Sequence, residues 1–226
     1  MKYEKLKQKI FNSFRNFKQG KRRFSSFEQK LLNLKWPVYS YILMANAAMY
    51  FAWNSPFFSE RFLLHNFALS KYNLSHLKLH TLFTYNFSHL SLFHLISNSI
   101  GIYFIGKAVE GIFGPKVFLT VFIAGGFFGG LLALLTSNRM DNRPLVGGSA
   151  GVSALFGFFV MNFPREKIFI LPIPFPLPAW LVCTVFFWYS YRQTFNPYSQ
   201  VSHAGHFGGL LTGLMYYFIY NGVVVL

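Results

Sequence analysis

Six stretches of this chain are long, apolar and nearly free of charge: about 38–57, 91–109, 116–136, 145–163, 174–191 and 203–224. Lys107 and Lys116 are the only Asp, Glu, Lys or Arg in all six. About 20 apolar residues in a helix cover the hydrocarbon core of a bilayer, and in lipid only a helix or a closed barrel satisfies its own backbone. The chain therefore reads as an all-α membrane protein of six transmembrane helices. Composition agrees, since charged residues are 12%, about half the usual share. One cysteine, Cys183, excludes a disulfide scaffold and any cysteine-rich zinc site.

The six spans occupy residues 37–226, and residues 1–36 form a different unit. Eleven of the 21 Lys and Arg lie within residues 1–35. Leu6, Ile10, Phe14 and Phe17 recur there at helical spacing, the pattern of a basic amphipathic helix lying in a headgroup layer. No apolar run follows the charges, so the arm is not a secretory signal. It is expected to remain on the chain as an anchor or import signal. No base-reading module accompanies it, so nucleic acid is not the expected partner; the bilayer is. With the arm inside, 15 basic residues lie on the inner side and 6 on the outer, which places both termini inside.

Strongly polar groups inside spans call for a function. In the second stretch His94 and Asn98 are one helical turn apart, with Gly101 on the same face and His89 just before. Both side chains donate hydrogen bonds, which suits a developing negative charge or simple interhelical bonding. The fourth stretch opens Gly147-Gly148-Ser149, with Ser153 and Gly157 on the face of Ser149. A serine at a helix start has unpaired N–H groups beside it, natural oxyanion donors; small-residue helix packing explains the same run. In the sixth stretch His206 shares a face with Gly209 and Gly213, glycines that admit a close neighbour, and His203 is a competing base. A serine and a histidine on different spans make a nucleophile and its base. No Asp or Glu is suitably placed within a span, since Asp141 lies in a loop and Glu110 at an inner end. A dyad is thus favoured over a triad. His203 and His206 lack a nearby thiol or carboxylate for a metal, so neither metal nor cofactor is expected.

These motifs, taken in order, resemble the rhomboid family of intramembrane serine proteases. They are His89–x4–His94–x3–Asn98, Gly106 with Glu110, Gly147-Gly148-Ser149, and His206–x2–Gly209–x3–Gly213. The resemblance covers about residues 37–222. It implies a six-helix rhomboid-like bundle with Ser149 as nucleophile and His206 as general base and acid. His94, Asn98 and the Ser149 backbone N–H would form the oxyanion hole, with Gly147, Gly148, Gly157, Gly209 and Gly213 supporting the packing. The long first loop, with spans 2 and 5, would gate transmembrane protein substrates. Ala150 stands where the family usually has a glycine after the nucleophile. Ser153 offers a second match, but the eight residues from Ser149 to Gly157 fit the family spacing. The doublet His203-Ala204-Gly205-His206 is similar to the mitochondrial branch and points to the mitochondrial inner membrane, although an N-terminal span of that branch is replaced by the basic arm.

A catalytically silent rhomboid-fold subunit of a larger membrane complex, contacted through the arm, is the other function the residues admit. A transporter lacks its intramembrane carboxylate and inverted repeats.

Overall fold

In this computed structural model the described residues are 34–137, 143–170, 173–196 and 202–222. The expected amphipathic helix of the arm lies outside them.

A helix lies within or closely overlaps each of the six apolar stretches. The first, α1 (Val38–Trp53), begins after Pro37, and its first two free N–H groups find an acceptor elsewhere. The Glu110 carboxylate takes the N–H of Val38 and of Tyr39, each at 2.8 Å. It thereby ties the start of α1 to the far end of the second span. Residues 54–91 are an ordered layer of short elements: α2 (Glu60–Phe67), α3 (Lys71–Ser75), α4 (Thr81–Thr84) and a 3₁₀ turn, Tyr85–Phe87. Ser59 and Ser70 cap α2 and α3, accepting the N–H of Phe62 and Asn73.

The second span is one continuous helix, Leu92–Phe113. It runs from α5 (Leu92–Gly101) through a π-helical turn (Ile102–Gly106) into α6 (Lys107–Phe113), and Ser91 caps it by accepting the His94 N–H. Gly114 reverses the chain at φ 92°, and Pro115 opens α7 (Pro115–Thr136). Next come α8 (Ser149–Asn162) and a two-residue antiparallel pair, β1 (Lys167–Ile168) with β2 (Leu177–Pro178). The helices α9 (Ala179–Thr194) and α10 (His203–Tyr220) complete the described chain. Among the described residues, Leu92–Phe113 and Pro115–Thr136 are long and apolar enough to cross a bilayer by themselves.

Two helices begin later than the apolar stretches that hold them. The fourth stretch turns helical only at Ser149, because Leu145 is held in an antiparallel bridge to Leu69 by backbone bonds of 2.9 and 2.7 Å. The fifth begins at Ala179, after the prolines have put the chain into extended structure.

Packing between α7, α8 and α10 is backbone against backbone. A methyl group at Gly209 would overlap the carbonyl oxygen of Ala150, and one at Gly213 would overlap that of Ala154. From the other side, a methyl group at Gly157 would lie 2.7 Å from the Leu210 carbonyl oxygen. Gly129 of α7 fits between Ala150 and the Gly205 carbonyl. Around this seam Phe118, Phe122, Leu155 and Phe158 are fully buried, alongside Ile102 and Val109 of the second span. Gly209→Val should therefore destabilise the fold by about 1–3 kcal/mol or more, as overpacking does, read as a lowered midpoint of thermal unfolding in detergent. It should also separate the side chains that α8 and α10 bring together.

Candidate active site

The turn before α8 creates the site. Gly147 sits at φ 116°, a conformation open to glycine and rarely to other residues. Its N–H donates to the Tyr85 carbonyl at 2.9 Å. Any side chain there would also run into the His94 imidazole, since a Cβ would lie 2.6 Å from Nε2. Gly148 is the N-cap and Ser149 the first helical residue. The first bond of the i to i−4 type is that from the Val152 N–H to the Gly148 carbonyl, at 3.0 Å. The amides of Ser149, Ala150 and Gly151 consequently have no helical acceptor.

His206 lies in the first turn of α10, its N–H bonded to the Ser202 carbonyl at 3.2 Å. The ring is flanked by Phe186 of α9, with centroids 6.1 Å apart, and lies edge-on to His203 at 5.9 Å. Its Nε2 is 2.8 Å from Ser149 Oγ. With Nδ1 carrying the proton, the serine hydroxyl donates to Nε2, the arrangement in which a histidine takes a proton from a nucleophile.

The other contenders point elsewhere. His203 packs edge-on against Tyr189 at 5.2 Å. Ser153 is buried, and its hydroxyl donates to the Ser149 carbonyl at 2.8 Å. The structure thus brings Ser149 to His206 and leaves His203 and Ser153 in supporting positions.

α5 fronts the serine turn. His94 lies over Gly147, and two turns further along the same face Gly101 abuts the Val152 side chain. Asn98, between them in sequence, is buried and donates one amide hydrogen to the His94 carbonyl at 3.0 Å, which leaves its second hydrogen. The His94 ring meets that of His89 edge-on at 4.9 Å. Burial, then the nearby His94, holds His89 at about 4, so it is a neutral imidazole bonded through Nδ1 to the Phe87 carbonyl at 3.1 Å. Among the described residues no carboxylate hydrogen-bonds to His206, and Glu110 is engaged at α1.

Tyr85 is a structural partner that periodicity does not reveal. Its hydroxyl donates to the Gly126 carbonyl at 2.7 Å, and its own carbonyl receives the Gly147 N–H. One residue so joins the first loop, α7 and the serine turn. No spacing signals it, because the bonds run through backbone atoms far apart in sequence.

Comparison with known proteins gives the family. The rhomboid domain matches residues 76–222, which include every motif above. The chain belongs to the rhomboid family, which includes intramembrane serine proteases. It is 28% identical over 183 residues to RHOMBOID-like protein 12, mitochondrial, of Arabidopsis thaliana, covering 74% of this chain and 54% of that one. It is 27% identical over 127 residues to Rhomboid protein 1, mitochondrial, of Saccharomyces cerevisiae, covering 54% and 36%. Rhomboid protease GluP of Bacillus subtilis is 24% identical over 121 residues, covering 53% and 22%. The chain spans about half or less of the length of these relatives.

Two substitutions separate the pair in contact from its neighbours. Ser153→Ala and His203→Gln should leave reaction of the purified protein with a fluorophosphonate unchanged, measured as initial labelling rate. A loss in either as large as that of His206→Ala would reassign the base or nucleophile.

Proposed function

We propose that the chain is an intramembrane serine endopeptidase that cleaves transmembrane segments of other membrane proteins with a Ser149–His206 dyad. The observation that carries this reading is the 2.8 Å contact between Ser149 Oγ and His206 Nε2, on helices whose glycines hold them at backbone distance.

The chemistry follows from the side chains. His206 takes the hydroxyl proton as Ser149 Oγ attacks the scissile carbonyl carbon, and the carbonyl oxygen becomes an oxyanion. The free Ser149 N–H, the His94 imidazole and the remaining Asn98 amide hydrogen are the donors for that charge. The imidazolium of His206 then protonates the leaving amine, giving an acyl-enzyme. Water deprotonated by His206 attacks the ester and releases the carboxylic acid, restoring the serine. With no carboxylate hydrogen-bonded to it among the described residues, His206 is oriented by its helix and by the Phe186 ring.

In this reading the helices of all six apolar stretches lie in the bilayer, with the termini on the side of the basic arm. The membrane is the mitochondrial inner membrane, with the arm in the matrix, supported by the mitochondrial relatives and the basic, acid-poor arm.

A fluorophosphonate should label the wild-type protein in detergent or bilayer. Ser149→Ala should abolish labelling, and His206→Ala should slow it by about 10³-fold or more. An unlabelled wild-type protein that unfolds cooperatively would instead assign the chain to the silent subunits of membrane complexes.

A further inference from the structure

Residues 54–91 carry Arg61, Lys71, Lys78 and four histidines against one carboxylate, Glu60. Folding gathers two of these cations and two of the imidazoles on one surface. Arg61 and His65 are one turn apart on α2, and the turn after α3 brings His76 and Lys78 toward them. His65 is lowered from its ordinary value by burial first, then by the charges of Lys78, Arg61 and His76. The exposed Tyr72 ring lies between two imidazoles, with centroids 5.6 Å from His65 and 4.1 Å from His76. Among the described residues neither the Arg61 guanidinium nor the Lys78 ammonium has a carboxylate or hydrogen-bond partner.

The surface is preformed. Asn73 is buried, and its amide donates to the carbonyls of Leu64 and Ala68, each at 2.8 Å. Its own carbonyl receives the Lys78 N–H at 2.9 Å. α2, α3 and the turn bearing Lys78 are thereby locked together. Within that turn Leu77 stands in the left-handed region, φ 57°, and is 81% exposed. A leucine reaches this backbone only against steric opposition, and here the strained residue offers an apolar side chain outward. Leu79, Phe57, Phe58 and Phe62 of the same segment are exposed as well.

We infer that Arg61, His65, His76 and Lys78 bind the headgroup of an anionic phospholipid, with Leu77 and Leu79 reaching between its acyl chains. Clustered cations without counter-charges attract phosphate, and apolar side chains beside them suit the layer where headgroup meets hydrocarbon. A soluble anion would match the charges alone. The inference goes beyond proteolysis and requires only that residues 54–91 lie against a bilayer.

The test is native mass spectrometry of the full chain in mixed micelles containing equal amounts of phosphatidylglycerol and phosphatidylcholine. Wild type should retain phosphatidylglycerol in preference. Arg61→Gln and Lys78→Gln should each lower that preference about fivefold, and the double variant about 25-fold. Lys167→Gln, in β1, should leave it unchanged. Arg61→Lys keeps the charge and should keep the preference, which separates lost binding from lost folding. Equal retention of the two lipids by wild type, or an unaltered preference in the double variant, would overturn the inference. Abolition of the preference by millimolar inorganic phosphate would also overturn it, by marking a site for free anions. The readout is mass, so it does not depend on whether Ser149 reacts.

Discussion

Close approach of α8 and α10 is the constraint on which the rest of the molecule depends. Serine is a short side chain, and an imidazole on another helix meets it only when the two backbones nearly touch. Gly209 and Gly213 on one helix lie against the carbonyls of Ala150 and Ala154 on the other, and Gly157 lies against Leu210. Small residues at such a seam gain van der Waals contact where hydrocarbon gives no hydrophobic drive for association. The same seam sets the 2.8 Å distance between Ser149 and His206. Packing and candidate chemistry here have one cause.

The second constraint is the serine turn, where a helix begins inside the protein. Starting α8 at Ser149 leaves unpaired N–H groups inside the protein, and irregular backbone there needs protein or water to line it. Tyr85 and Gly147 supply part of that lining by bonding the turn to the first loop. His94, Asn98 and Gly101 of α5 close the opposite side. Glu110, the one carboxylate of the second span, is engaged with α1. Among the described residues no carboxylate hydrogen-bonds to His206, so the proposed chemistry rests on a dyad.

Much of this was legible in the sequence because lipid simplifies the pattern. Uncharged runs mark helices, and polar residues within them stand out. Ser149, His206, His94 and Asn98 were singled out by their place in apolar runs, and helical spacing put His94 and Asn98 on one face. What escaped were features made by backbone atoms. Tyr85 acts through its carbonyl and hydroxyl on residues 62 and 41 positions away, and no side-chain periodicity records such bonds. The Leu69–Leu145 bridge ahead of α8 is likewise a pairing between two loops. The long first loop is expected as a gate, with no internal structure assigned to it, yet capping by Ser59 and Ser70 and the buried Asn73 make residues 54–91 an ordered layer. The choice between His203 and His206 also required geometry, since both stand on the same helical turn.

The most direct measurement is an experimental structure of the protein after reaction with a phosphonate inhibitor. Phosphorus should be bonded to Ser149 Oγ, with its oxygen within hydrogen-bond distance of the Ser149 N–H and of His94 or Asn98. His206 should lie beside the leaving-group position. An adduct on another residue, or a Ser149 adduct whose oxygen points away from α5, would contradict the proposed mechanism.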